Sequence, residues 1–296
     1  MKSLLEIRTT TLFDQSCFFV NFLQELLIGI RRQITVVLAI SSYDIDRRST
    51  GTSIGAWESI LTPLQIMLFF IAVRLGFSFL RGNNRLAAGG STDMYFNIVI
   101  FIASGFAIAF LFRQGAIKAL SGLKIRAPLY YKRVQPLDIL LALLVNDFRA
   151  ISTISLAILG LVWFFTWSFR LDSPGLAIGV YLLTILMALG FGVCLVFLGR
   201  LNKWITKILR RILQRIIIFT SGIFFATFEL PEYTRQFVTW NPILHAVELF
   251  RYSMNNQYPI PGISLEYLVW CSMVLLGFSL ILYRTNESLL LEANDD

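Results

Sequence analysis

Residues able to do chemistry are few in this chain and widely scattered. There is one histidine, His245, and the three cysteines, Cys17, Cys194 and Cys271, stand far apart in apolar surroundings. Neither a metal-ligand spacing nor a disulfide framework can be assembled from them. A phosphate-cradling Gly-x-x-x-x-Gly-Lys-Ser/Thr loop is absent, and Gly199 to Thr206 has the wrong order for one. Asp147 and Arg149, two apart, suit an interfacial or bundle-facing pair better than a proton relay. Arg74 is the one cation deep in an apolar run, where it faces a water-filled passage or snorkels to the outer surface. These three are the candidate pathway residues. With no acidic residue at mid-depth in the apolar runs, coupling to an ion gradient is disfavoured, so energy for uphill movement is expected from a partner.

The elements that hold these residues are membrane helices. Hydrophobic residues make up 56% of the 296, charged residues 15%, and the mean hydropathy is +0.68; a soluble domain carries roughly 25% charged residues. Crossing the hydrocarbon core takes about 20 apolar residues. Six stretches meet this: Leu61 to Leu80, Met94 to Phe112, Ile151 to Phe169, Leu176 to Leu198, Ile212 to Phe228 and Leu265 to Tyr283.

Lys and Arg set the orientation, because cytoplasmic links hold the positive excess. Arg113, Lys118, Lys124, Arg126, Lys132 and Arg133 fall between spans two and three, and Arg200, Lys203, Lys207, Arg210, Arg211 and Arg215 between spans four and five. The alternate links are poorer, so both termini are expected in the cytoplasm. The formal charge of +8 is then mainly a topology signal, and nucleic acid is not an expected partner.

Before span one, Phe18 to Ile40 places Phe19, Phe22, Leu23, Leu26, Leu27, Ile30, Ile34, Val37 and Leu38 on one helical face, with Asn21, Gln24, Glu25, Arg31, Arg32 and Thr35 mostly on the other. Such a helix lies in the interface plane or packs against its own bundle. The chain start does not read as a cleavable signal, since Glu6, Arg8 and Asp14 interrupt any early apolar region. The expected division is residues 1–56 as a cytoplasmic segment with the interface helix, 57–285 as the six-span domain and 286–296 as a cytoplasmic acidic tail. The class is an all-α membrane protein.

Between spans five and six, Glu229-Leu230-Pro231-Glu232 is followed by Trp240-Asn241-Pro242-Ile243-Leu244-His245-Ala246-Val247-Glu248-Leu249-Phe250-Arg251. Asn241 can cap a helix whose first residue is Pro242, and Glu248 and Arg251 can pair at i, i+3. His245 is expected to cap or pack in this turn. The segment is too short to span, which suggests a re-entrant helical pair over the mouth of a pathway, with Trp240, Asn241, Pro242, His245, Glu248 and Arg251 as its gate.

The order Ser221-Gly222, Phe224-Phe225, Leu230-Pro231, Trp240-Asn241-Pro242, His245, Glu248, Arg251 resembles the C-terminal signature of type-2 ABC exporter permeases. In particular it is similar to the types exporting capsular polysaccharide, O-antigen and teichoic acid (KpsM, Wzm and TagG). Ile54-Gly55-Ala56-Trp57 with Pro63, and Gln135-Pro136-Leu137-Asp138, agree with it. The resemblance implies a homodimer of six-span subunits docked on two separate ATPase subunits, an interface helix before span one and short extracellular re-entrant helices before the last span. ATP and Mg would belong to the partner ATPase, with no cofactor in this chain.

The expected function is the permease subunit of an ABC exporter moving a lipid-linked, capsular polysaccharide across the bacterial inner membrane. It is a transporter subunit and not an enzyme. Periplasmic and outer-membrane export proteins are further candidate partners. The alternatives are a type-2 permease for O-antigen, teichoic acid or a small hydrophobic compound and, from another class, a membrane-embedded glycolipid enzyme. The link around Lys118, Lys124, Arg126, Lys132 and Arg133 is the expected ATPase-docking segment.

Overall fold

The structure is a computed structural model and describes residues 24–25, 28–29, 31–43, 61, 64–73, 76, 96, 98–122, 134–166, 171–201 and 203–286. Among the described residues the regular elements are all helical. They are α1 (31–43), α2 (Leu64–Val73), α3 (Ile98–Gly122), α4 (Pro136–Thr166), α5 (Pro174–Leu201), α6 (Lys203–Thr220), α7 (Glu232–Val238), α8 (Pro242–Met254) and α9 (Leu265–Thr285). Four contain stretches long and apolar enough to cross a membrane: Ile98–Ile117, Leu137–Ala157, Pro174–Gly199 and Leu265–Thr285.

α3 is apolar all round and is buried without a break from Ile100 to Phe112, as such a helix must be. It packs mainly against α5 and α4, and also against α8 and α6. Outermost is α9, which buries Leu268, Ser272, Ser279 and Tyr283 and leaves Trp270, Met273, Val274, Phe278 and Ile281 exposed. Its inner face meets α5 at Gly190, where a Cβ would stand 3.0 Å from the Leu275 carbonyl carbon and oxygen. Any side chain there would have to push the α9 backbone back from this approach.

α1 runs parallel to the start of α4. Gln33 Nε2 donates to Asp138 Oδ1, and eight residues later in both helices Ser41 Oγ donates to Asn146 Oδ1 at 2.5 Å. Val37 and Ile40 are buried against Ala142, with Leu141 and Val145 alongside. Ile34 and Leu38 remain exposed, so only part of the apolar face is used within one chain. The residues before 31 lie largely outside those described.

The expected spans shift in two places. The helix carrying span three begins at Pro136, before the apolar core expected from Ile151, and Asp147 and Arg149 lie inside it. Polar residues that lower the local hydropathy are accommodated there because α1 supplies partners such as Ser41 for Asn146. Of the stretch Ile212 to Phe228 expected as span five, only the part up to Thr220 is α-helical, as the end of α6, which begins at Lys203 and is not among the four helices long and apolar enough to cross. Residues 221–224 are turns and bends, and Gly222 adopts a positive φ of 77°. Of the six cations expected in this link, Arg200 stands on α5 and Lys203, Lys207, Arg210, Arg211 and Arg215 on α6.

Candidate functional site

Two local features start α8. The Asn241 side chain accepts from the Ile243 N–H at 3.0 Å, and Pro242 occupies the first helical position. The same amide reaches back to α6, its Nδ2 donating to Thr220 Oγ1 at 2.9 Å and to the Thr220 carbonyl at 3.3 Å. One residue therefore caps α8 and ties it to the end of α6.

Beneath this cap, His245 Nε2 lies 2.7 Å from the Thr239 carbonyl and Nδ1 accepts from the Ser264 N–H at 3.0 Å. That pairing fits the neutral Nε2–H tautomer. Burial holds the imidazole below its ordinary value, outweighing the opposite pull of the Thr239 and Ser264 backbone. His245 joins α7, α8 and the start of α9, and its ring lies 4.7 Å from that of Tyr267. Trp240 points outward at 66% exposure, while its carbonyl accepts from the Tyr267 hydroxyl at 2.6 Å.

A fully buried ion pair forms the centre of the site. Arg251 Nη1 donates to Glu248 Oε1 at 2.9 Å, with both side chains at 0% exposure. A buried pair survives only when further hydrogen bonds satisfy both ions. Arg251 also donates to the carbonyls of Phe101 at 3.0 Å, Ile223 at 3.3 Å and Phe225 at 3.4 Å, and its guanidinium carbon lies 3.5 Å from the centroid of the Phe101 ring. Glu248 Oε2 accepts from Thr227 Oγ1 at 3.3 Å, and Tyr258 is buried against Phe96 and Phe228 nearby. Room for the guanidinium comes from Gly105, where a Cβ would stand 2.7 Å from Nη2. Phe224, in the turn after α6, stacks edge-on to Phe70 of α2 at 4.9 Å.

This arrangement cannot do acid–base chemistry on a ligand. Its ions are spent on each other and on backbone, and both side chains are fully buried among the described residues. It can make the N-terminal part of α3, the turns at 221–229 and α8 move as one body. Beside it, α4, α5 and α8 border an open groove of about 580 Å³ walled by Phe148, Leu182, Phe250 and Met254. There the Ser152 and Tyr181 hydroxyls face each other at 3.3 Å, and the apolar walls suit a hydrocarbon chain.

The structure thus brings together Asn241, Pro242, His245, Glu248 and Arg251, with Trp240 at their rim. Arg149 is exposed on α4, and Asp147 falls on the same helix. Lys118 falls on the last turns of α3; Arg74, Lys124, Arg126, Lys132 and Arg133 lie outside the described residues. Sequence reasoning missed Phe101, Ile223, Thr227 and Tyr258, and named Phe225 only within the C-terminal signature. Gly105, the one glycine between Ile98 and Phe112, was an available signal. Among the described residues no cluster of His, Cys, Asp and Glu could hold a metal ion.

A family model described as ABC-2 type transporter matches residues 36–255. The polysialic acid transport protein KpsM of Escherichia coli is 25% identical over 264 residues, covering 89% of this chain and 98% of that protein. The capsule polysaccharide export inner-membrane protein BexB of Haemophilus influenzae is 23% identical over 253 residues, 84% of this chain and 90% of the relative. CtrC of Neisseria meningitidis serogroup B, of the same description, is 25% identical over 251 residues, 84% and 89% of the two chains.

Proposed function

This chain belongs to the ABC-2 type transporter family, and we propose that it is the permease subunit of an exporter carrying a lipid-linked, capsular polysaccharide across the bacterial inner membrane. The observation that carries this reading is similarity over nearly the full length of relatives named for transport of polysialic acid or export of capsule polysaccharide.

Two copies form the permease, each with six spans, α2 and α6 completing the four long apolar helices, and with both termini in the cytoplasm. Residues 57–285 are the transmembrane domain, flanked by the N-terminal segment with its interface helix and by the acidic tail. A separate ATPase subunit docks on each copy through the last turns of α3 and the link that follows, with Lys118, Lys124, Arg126, Lys132 and Arg133, and binds ATP and Mg. Closure of the ATPases favours one permease conformation over the other, and that difference in contact couples hydrolysis to movement. α7 and α8 act as the re-entrant gate on the far side. The Glu248–Arg251 cluster keeps the gate rigid, so movement of α3 is passed to it without slack.

The test is reconstitution of the permease with its ATPase in proteoliposomes containing lipid-linked capsular polysaccharide. ATP-dependent appearance of glycan on the opposite side is expected. Transport of a small solute with no glycan movement would refute the substrate assignment.

A further inference from the structure

The groove bordered by α4, α5 and α8 has Leu156, Ile178 and Leu182 at its rim, 69%, 63% and 55% exposed. α4 and α5 contain the membrane-crossing stretches Leu137–Ala157 and Pro174–Gly199, so the rim opens on hydrocarbon. Among the described residues of the lining none is charged, and the polar ones are Ser152, Ser155 and Tyr181. The Ser152 and Tyr181 hydroxyls are paired with each other, and the Tyr181 ring stands edge-on to Phe148, 5.4 Å between centroids. With these polar atoms satisfied, the wall suits an apolar ligand.

Depth places the groove in one leaflet. α5 starts beside the end of α8, where the Ser173 N–H donates to the Ser253 carbonyl at 2.9 Å. Tyr181 lies seven residues below that start, about 10 Å down at ~1.5 Å per residue. Along α4 the lining runs from Phe148 to Gly160, about 18 Å, close to half of a ~30 Å hydrocarbon core. Size then decides between a protein helix and lipid. A helix about 10 Å across would displace roughly 1,400 Å³ over that length, more than twice the 580 Å³ of the groove. An extended hydrocarbon chain, touching its neighbours at carbon separations of about 4 Å, takes roughly 230 Å³, so the two chains of one lipid fit.

We propose that this groove binds the two acyl chains of a phospholipid from the leaflet on the α8 side, and that the bound chains brace α8 against α4 and α5. Phe250 and Met254 stand on either side of Arg251 along α8, so the lipid supports the helix that carries the buried ion pair. It is held whatever the cargo.

The probe is a phosphatidylethanolamine with a photoactivatable diazirine at mid-chain, in vesicles containing the permease–ATPase complex. Adducts on 148–156, 177–182 and 250–254 are compared with adducts on the exposed face of α9, Trp270 to Ile281, the reference for bulk lipid. Groove adducts should exceed the reference about tenfold. Gly160→Trp fills the groove, since a Cβ at Gly160 meets nothing within 4 Å. It should lower groove labelling about tenfold, which at ~1.4 kcal/mol equals the burial of about two methylenes, and leave α9 labelling unchanged. Equal labelling of groove and α9 in wild type, or a groove signal that Gly160→Trp leaves intact, overturns the proposal. Lipid-linked capsular polysaccharide that displaces the probe from the groove alone would give the site to the anchor of the cargo and overturn the phospholipid assignment. Ile178→Cys copies joined by a bifunctional thiol reagent that leaves wild type unjoined would put a second copy there and overturn it too. Should Gly160→Trp not assemble, Leu182→Trp at the rim is read in the same labelling assay. Bracing is read separately: added phosphatidylethanolamine should raise the thermal midpoint of the detergent-solubilised wild type, and an unmoved midpoint overturns that part.

Discussion

Arg251 takes both a hydrogen-bond acceptor and an aromatic platform from Phe101, donating to its carbonyl at 3.0 Å while lying 3.5 Å from the centroid of its ring. The two residues are 150 positions apart. Arg251→Met would leave Glu248 buried without its charge partner and the carbonyls of Ile223 and Phe225 without this donor, a loss of about 3–5 kcal/mol. Arg251→Lys should rescue little, because a compact ammonium cannot serve a planar set of acceptors and a ring together. Thermal unfolding of the detergent-solubilised protein measures both, and an unshifted midpoint for Arg251→Met would show the pair to be dispensable.

Asn241 has two duties that substitution can separate. Asn241→Ala removes the cap and the tie to Thr220 and should cost about 0.5–2 kcal/mol. Asn241→Asp keeps an acceptor for the Ile243 N–H but loses the amide donor to Thr220. It should therefore fall between wild type and Ala in thermal midpoint, and a midpoint at or below that of Ala would assign the whole effect to the tie.

At Gly222 the backbone is left-handed and a Cβ would stand 2.5 Å from Leu244 Cδ1. Gly222→Ala should destabilise by about 1–3 kcal/mol. Gly190→Leu should instead part α5 from α9, read as lost disulfide crosslinking between cysteines placed on the two helices. Retained crosslinking would contradict the close approach seen at Leu275.

His245 is held below its ordinary value by burial, so the folded state binds fewer protons than the unfolded one as pH falls. The sign follows: its contribution is complete above the unfolded value of about 6.5 and is lost as pH drops below it. Thermal midpoints across pH 5 to 8, on the order of this range, should decline on the acid side, and His245→Gln should flatten that decline. An identical slope in the variant would exclude His245 as its origin.

Cysteines placed at Ala119 to Arg126 should crosslink to the ATPase subunit in the assembled complex. If they never reach it while cysteines elsewhere do, docking through this link is wrong.

Some of this was local enough to read from the chain. The apolar runs at Leu176 to Leu198 and Leu265 to Tyr283 coincide with α5 and α9, because an uninterrupted apolar run of that length has one low-energy solution in a bilayer. The Asn241-Pro242 start of α8 and the Glu248–Arg251 pair were equally legible, since a cap and an i, i+3 contact depend only on neighbours. The start of α4 was not, because Asn146 and Asp138 lower the local hydropathy and their partners Ser41 and Gln33 lie 105 residues away. Hydropathy also ran span five through Ser221-Gly222, whereas the carbonyls of Ile223 and Phe225 are needed as acceptors for Arg251, 28 and 26 residues on. Whether a cation sits in a loop, in the core or on an open helix face depends on what other segments bring to it, so only the tertiary structure separates Arg251, sealed at the centre, from Lys207, Arg210 and Arg211 on the open face of α6.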